Sequence, residues 1–208
     1  MRKSIRLVVM GQEVRKPQQE RSIEKKNKIV QAGYELFSEV GYHSTNTAQI
    51  AKRAGVSTGI VYGYFKDKHD ILLDVLEIHL NNSFSPILAL IDGLSSPVNY
   101  YTLAKEVLDI AIDLHHKNAK IHEALHSLSH SDDVVNARFI ELEDNLTLQI
   151  SAKLAALGAD APNMSERVHF AMDIVQSFSH EYIFDKHPYI DYGAMRTIVE
   201  NTLVALFI

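Results

Sequence analysis

Between residues 44 and 65 the chain reads STNTAQIAKRAGVSTGIVYGYF, and over this stretch the helix signals start, stop and start again. Thr45 and Asn46 supply the side-chain oxygens that cap a helix N-terminus, and Ile50 and Ala51 begin an apolar stripe. Gly55 breaks that stripe, and Ser57 or Thr58 caps a second segment carrying Val61 and Phe65. Two helices of about two turns each, joined by a short glycine-containing turn, form a helix-turn-helix. Helices this short are not stable alone, so the segments on either side must complete their core. Ahead of them, Ile29, Ala32, Leu36, Phe37 and Val40 recur at steps of three and four, which predicts a helix over 22–40 ended by Gly41. Small Ala51 and Ala54 let the pair cross closely, and Val56 fills the space under the turn.

Beyond Lys68 the pattern is helical almost throughout. The spacing predicts helices over 70–82, from Pro86 after a cap at Ser85, over 98–116 after Ser96-Pro97, over 132–157, over 165–186 and over 189–207. The last two carry apolar residues at bundle-seam spacing, Val168, Met172, Val175 and Tyr182 in one and Met195, Val199 and Leu206 in the other. No segment alternates as a strand would, and the fold class is therefore all-α. Residues 1–20 are basic and mostly aperiodic and are expected to form a flexible arm, followed by a helix-turn-helix domain over 21–68 and a helical domain over 69–208.

Charge divides along the same boundary. Residues 1–70 hold 13 Lys and Arg against 7 Asp and Glu, whereas 71–208 hold 8 against 19. A basic head on an acidic body suits a polyanionic partner, because Lys and Arg gain affinity by releasing counterions condensed on phosphates. The chain has no Cys, which excludes disulfides, thiolate metal sites and thiol catalysis. Its apolar runs are too short for a membrane span or a secretory signal, so a cytoplasmic protein is expected.

Residues 29–74, IVQAGYELFSEVGYHSTNTAQIAKRAGVSTGIVYGYFKDKHDILLD, resemble the tetracycline-repressor (TetR) family of bacterial transcription regulators. The shared features are the Ala and Phe of the first helix, Gly41, the threonine-rich cap, Ile50-Ala51, Ala54-Gly55-Val56-Ser57, Gly59, Tyr62, Phe65 and Lys68. The resemblance implies an N-terminal three-helix DNA-binding domain on a C-terminal helical ligand-binding and dimerisation domain, with dimerisation through the last two helices. It also implies a role for each matched residue. Thr45 and Asn46 fall where phosphate meets a helix N-terminus, Thr58, Gly59 and Ile60 open the recognition helix, and Tyr62, Tyr64 and Lys68 fall at positions that contact backbone phosphates. Tyr64 stands where the family commonly has His, and Gly63 where a larger side chain enters the groove, so base readout leans on Thr58, close backbone approach and DNA shape.

The implied function is that of a ligand-responsive regulator, a repressor rather than an enzyme. It would bind a near-palindromic double-stranded DNA operator as a homodimer and be released by a small-molecule effector held in the C-terminal domain, with no cofactor and no membrane partner. Candidate effector contacts are Tyr100, Tyr101, Leu108, Phe139 and Phe178, with His180 or Asn145 as an orienting polar group. One motif stands outside this reading. HEALHSLSH, residues 122–130, contains His122-Glu123-x-x-His126, the spacing with which zinc peptidases present two ligands and a base. The alternative function is accordingly a metal-dependent hydrolase using His122, Glu123 and His126. Against it, the residue ten after His122 is Asp132 rather than a third His. The stripe of His122, His126 and His130 also lies roughly 130° around the helix from Ile121, Leu125 and Leu128, which predicts that it is solvated or hydrogen-bonded and binds no metal; the alternative is a structural or regulatory metal site on two of the three, with His115 or His116.

Overall fold

A computed structural model describes residues 18–208, and every regular element among the described residues is helical. The expected arm falls largely outside them; its last residues, from Gln18, already belong to the first helix. The elements are α1 (Gln18–Val40), α2 (Thr47–Ala54), α3 (Thr58–Tyr62), α4 (Lys68–Asp92), α5 (Tyr100–Lys117), α6 (Ala119–Ser129), α7 (Asp133–Ala156), α8 (Met164–Phe184) and α9 (Tyr192–Ala205).

Local chemistry sets most boundaries. Asn46 caps α2 with a full capping box, its side chain accepting from the Gln49 amide while the Gln49 side chain accepts from the Asn46 amide. Gly55 ends α2 in the left-handed region at φ 69°, where a Cβ would be strained. Ser57, Asp67, Asn99, Asp132 and Asp191 cap α3, α4, α5, α7 and α9 through their side chains.

Helices α1 to α3, the first half of α4, α6 and the start of α7 share one core. It is built on Ile29, Phe37, Ile50, Val61, Leu76 and Leu125, each fully or almost fully buried. Burial of each such side chain is worth about 1.5–3 kcal/mol, so this core organises the head. Gly33 lets α1 and α4 approach, since a Cβ there would stand 2.8 Å from Ile71 Cγ2. A second core joins α5, α8 and α9 around Leu108, Phe178 and Leu203. A third joins the far half of α4 to α7 and α8 through Ile91, Leu146, Leu154 and Val168.

One expectation is corrected. Ser85-Pro86 does not restart a helix; α4 runs unbroken through Pro86 to Asp92. The ring removes a single donor from the ladder. Leu76 and Leu80 on one side of it are buried in the head core and Ile91 on the other in the third core, and burial at both ends holds the helix together.

Candidate nucleic-acid face and effector cavity

The outer rim of the head is formed by α3 and the start of α2. Val61 and Phe65 are buried beneath it, which leaves Thr58, Gly59 and Tyr62 exposed, with Ile60 half-buried. Tyr62 is 55% exposed, and its hydroxyl lies 3.1 Å from Thr47 Oγ1 across the α2–α3 crossing. Two hydroxyls and the N-terminus of α2, capped by Asn46, therefore face outward together, with the exposed ammonium groups of Lys52 and Lys66 nearby in sequence. Free amide donors and phenolic hydroxyls on a rim with basic neighbours suit phosphate oxygens.

Three of the candidate residues sit differently from expectation. Thr45 is buried, and its hydroxyl donates to the Gly41 carbonyl at 2.9 Å, because the turn after α1 leaves that acceptor without a helical partner. Lys68 Nζ turns inward and donates to the carbonyls of Tyr42 at 2.7 Å and Thr45 at 2.8 Å, 4.1 Å from the centre of the Tyr42 ring. Burial pushes its pKa down. Tyr64 is half-buried with its hydroxyl 3.1 Å from Ser22 Oγ, tying the turn after α3 to α1. Arg53, which sequence reasoning did not single out, is engaged by Glu35 and Glu39 of α1, and these two carboxylates raise its pKa.

The body holds a partly open cavity of about 320 Å³ running along α4, α5, α7 and α8. At one end Tyr100 stacks on Phe207 at 5.5 Å, with Ile91, Leu154 and Val168 around them. At the other end, nearer the head, the wall becomes polar with His79, His115, His122, His126 and Gln176. Of the candidate effector contacts, Tyr100 and Phe139 line this cavity. Leu108 and Phe178 lie in the core between α5, α8 and α9, and Tyr101 is 63% exposed, one residue round the helix from Tyr100. His180 does not line the wall but its ring contacts those of His122 and His126, while Asn145 is exposed.

The histidine stripe divides at His122, which is half-buried with its Nε2 3.3 Å from Gln176 Nε2, whereas His126 and His130 are exposed. Helix α6 serves two sides: Ile121 and Leu125 enter the head core, and half-buried His122 with exposed His126 lines the cavity on the other. Burial and the neighbouring imidazoles push the His122 pKa down to about 2 and that of His79 to about 4. Glu123 is exposed and away from the cavity, so it cannot act as a base on anything bound there, and the hydrolase reading finds no support. Sequence reasoning named His115 only as a further ligand in the metal-site alternative, and it missed His79. The signal was present at His79, which falls on the same helical face as Val75 and Leu76, both fully buried.

Residues 29–75 match the family described as bacterial regulatory proteins, tetR family. The chain is 45% identical over 75 residues to the HTH-type transcriptional regulator HbdR of Aromatoleum sp. (strain CIB), covering 36% of this chain and 33% of that one. It is 33% identical over 87 residues to a fatty acid metabolism regulator protein of Bacillus subtilis, covering 42% and 41%. The matched segments thus span less than half the length of these curated relatives. Whole-chain likeness is seen in solved structures. A TetR-family transcriptional regulator from Mesorhizobium loti superposes with a TM-score of 0.72 over 89% of this chain and 96% of that one at 18% identity. A transcriptional regulator from Saccharomonospora viridis, solved in complex with choline, superposes with a TM-score of 0.66 over 87% and 96% at 14% identity. At such identities the likeness speaks for the fold, a helix-turn-helix head on a helical body. The head thus matches the TetR family of bacterial regulatory proteins in sequence over residues 29–75, and the whole chain shares the fold of solved members of that family.

Proposed function

We propose that the protein is a ligand-responsive transcriptional repressor that binds a near-palindromic operator as a homodimer in the cytoplasm. The observation that carries this reading is the division of labour within α3, where Val61 is buried while Thr58, Gly59 and Tyr62 are offered to solvent. A helix so placed can enter the major groove while the capped start of α2 meets the phosphate backbone. Thr58 approaches base edges, and Tyr62 and Asn46 contact phosphates. Lys68 and Thr45 position the turn that presents them.

Dimerisation through α8 and α9 is supported by the apolar side chains these helices leave outside, Phe170 at 54% and Ile198 at 65% exposure. A two-fold axis there would set two α3 helices in successive major grooves. The effector is a small, largely apolar molecule in the cavity, with Tyr100 and Phe139 on its wall. It releases the operator by binding more tightly to the arrangement of the heads that does not fit DNA.

Selection from a pool of random duplexes tests the reading. The full chain should enrich a palindrome, and its retardation of that duplex should weaken steeply with added salt. Recovery of unrelated duplexes, with no shared half-site, overturns it.

A further inference from the structure

Five of the eleven histidines gather at the head-proximal end of the cavity, although they come from four helices. His79 belongs to α4, His115 to α5, His122 and His126 to α6, and His180 to α8. The His122 ring stands 4.4 Å from that of His115, 5.7 Å from His180, 5.8 Å from His126 and 6.2 Å from His79, centre to centre. His126 and His180 are 5.6 Å apart.

Two of these rings are held from behind and bare in front. His115 Nδ1 is 2.8 Å from the Ala111 carbonyl, which can only accept, so Nδ1 carries the proton and Nε2 presents a lone pair. That Nε2 is buried and without a partner. His180 directs Nε2 to the Asp185 carboxylate at 3.4 Å, and its Nδ1 is again buried and without a partner. His79 Nδ1 is a third such atom. A buried polar atom normally has a partner, and three unpaired imidazole nitrogens around one ring form a donor set waiting for an acceptor of lone pairs. A carbonyl or carboxylate behind one ring nitrogen is also the outer arrangement that fixes histidines ligating a metal.

We propose that His115, His122 and His180 bind a divalent d-block cation, zinc being the representative, at this end of the cavity, with His126 as a fourth imidazole. Metal–nitrogen bonds of about 2 Å place the ring centres of tetrahedral imidazole ligands about 5 Å apart. The observed separations, 4.4 to 5.8 Å, bracket that value. Imidazoles without thiolates or carboxylates favour zinc, copper or nickel over magnesium or calcium. Burial pushes the pKa of His115 and His122 down, which leaves the lone pairs of these two rings free at neutral pH.

The nitrogens do not converge as the rings now stand. Among the described residues only Asp67, His69 and Asp70 bring three ligating atoms within 4.8 Å of one another, and Asp67 and Asp70 already accept backbone amides at the start of α4. Loading therefore turns His122 about its side-chain torsions, away from Gln176 Nε2 at 3.3 Å. Helix α6 is tied to the head, since Lys120 donates to the Glu39 carbonyl at 2.6 Å and Asn118 accepts from the Tyr34 hydroxyl at 3.3 Å. As a second effector beside the apolar molecule, which rests on the regulatory reading above, the ion would thus act on the head through α6.

The test uses the full chain stripped with a chelator and titrated with zinc against a chromophoric competitor, then with cobalt for its visible ligand-field bands. About one ion per chain should bind, with affinity falling at least about 100-fold in His115→Gln with His180→Gln. It should fall about 10-fold in Asp185→Asn, which alters only a surface carboxylate behind a ligand. Far-ultraviolet circular dichroism and melting of each variant separate loss of ligands from loss of fold. The proposal is overturned by the absence of stoichiometric binding, by binding that survives the double substitution, or by binding that His69→Gln abolishes. Operator retardation by the metal-stripped protein is measured apart, so failure of the site and failure of DNA binding are told apart.

Discussion

Lys68 builds the turn beneath the proposed DNA-facing rim and does not stand on that rim. Its ammonium bridges the carbonyls of Tyr42 and Thr45 at 2.7 and 2.8 Å and lies over the Tyr42 ring. Lys68→Met keeps the aliphatic stem and removes the charge. Hydrogen bonds to a charged donor are worth about 1.5–3 kcal/mol each and an exposed cation–π contact about 0.5–1 kcal/mol. The group is only half-buried, so water recovers part of this, and a net loss of about 2–3 kcal/mol is expected. For a chain of this size that lowers the melting midpoint by about 5–10 °C. The second readout is the salt dependence of retardation on the selected duplex, measured well below the midpoint. A phosphate-contacting lysine contributes about one unit to the slope of log affinity against log salt. Here the slope should stay unchanged while the midpoint falls. A slope shallower by about one unit with an unchanged midpoint would refute the inward assignment.

Other consequences can be measured on the same protein. Tyr62→Phe removes an exposed hydroxyl, so operator affinity should fall about fivefold, the equivalent of roughly 1 kcal/mol, without a change in denaturant midpoint; equal losses in both would point to a structural role. Gly33→Ala places a methyl 2.8 Å from Ile71 Cγ2 and 3.3 Å from Val75 Cγ2, and urea unfolding should register about 1–3 kcal/mol of overpacking. A neutral or stabilising result would show that α1 and α4 have room to separate. The pKa of His79 is depressed to about 4 from an ordinary 6.5, so the unfolded chain takes up this proton first. Its contribution to stability is whole above about pH 6.5 and declines as the pH falls toward 4, by about 2 kcal/mol at pH 5. Denaturation between pH 7 and 5 should show that decline in the parent and a flatter profile in His79→Leu, and an identical profile in both would contradict it.

The head was legible because its signals are local. Asn46, Gly55 and Ser57 cap or terminate whatever helix they flank, and the stripe from Ile29 to Phe37 has one core to face. Which of its polar side chains reach outward was not legible in the same way. Thr45 and Lys68 turn in to serve carbonyls that exist only once the turn after α1 has formed. In the body, helix positions followed from periodicity, but the cavity is a product of which faces meet. A single apolar stripe on α6 reads as one buried side and one wet side, yet His122 on the second side is half-buried against the cavity. Pro86 misled for a related reason, since a breaker judged by its neighbours in sequence is overruled by anchorage at either end.

Helix α4 carries a mechanical consequence. Its 25 residues make a rod roughly 37 Å long. One end is clamped among the head side chains and the other forms a wall of the chamber. A tilt of about 5° about the chamber end would sweep the clamped end through roughly 3 Å, a good part of one helical turn. Were a single small guest to swell or shrink the chamber, that change would be geared up into a change of stance at the far tip.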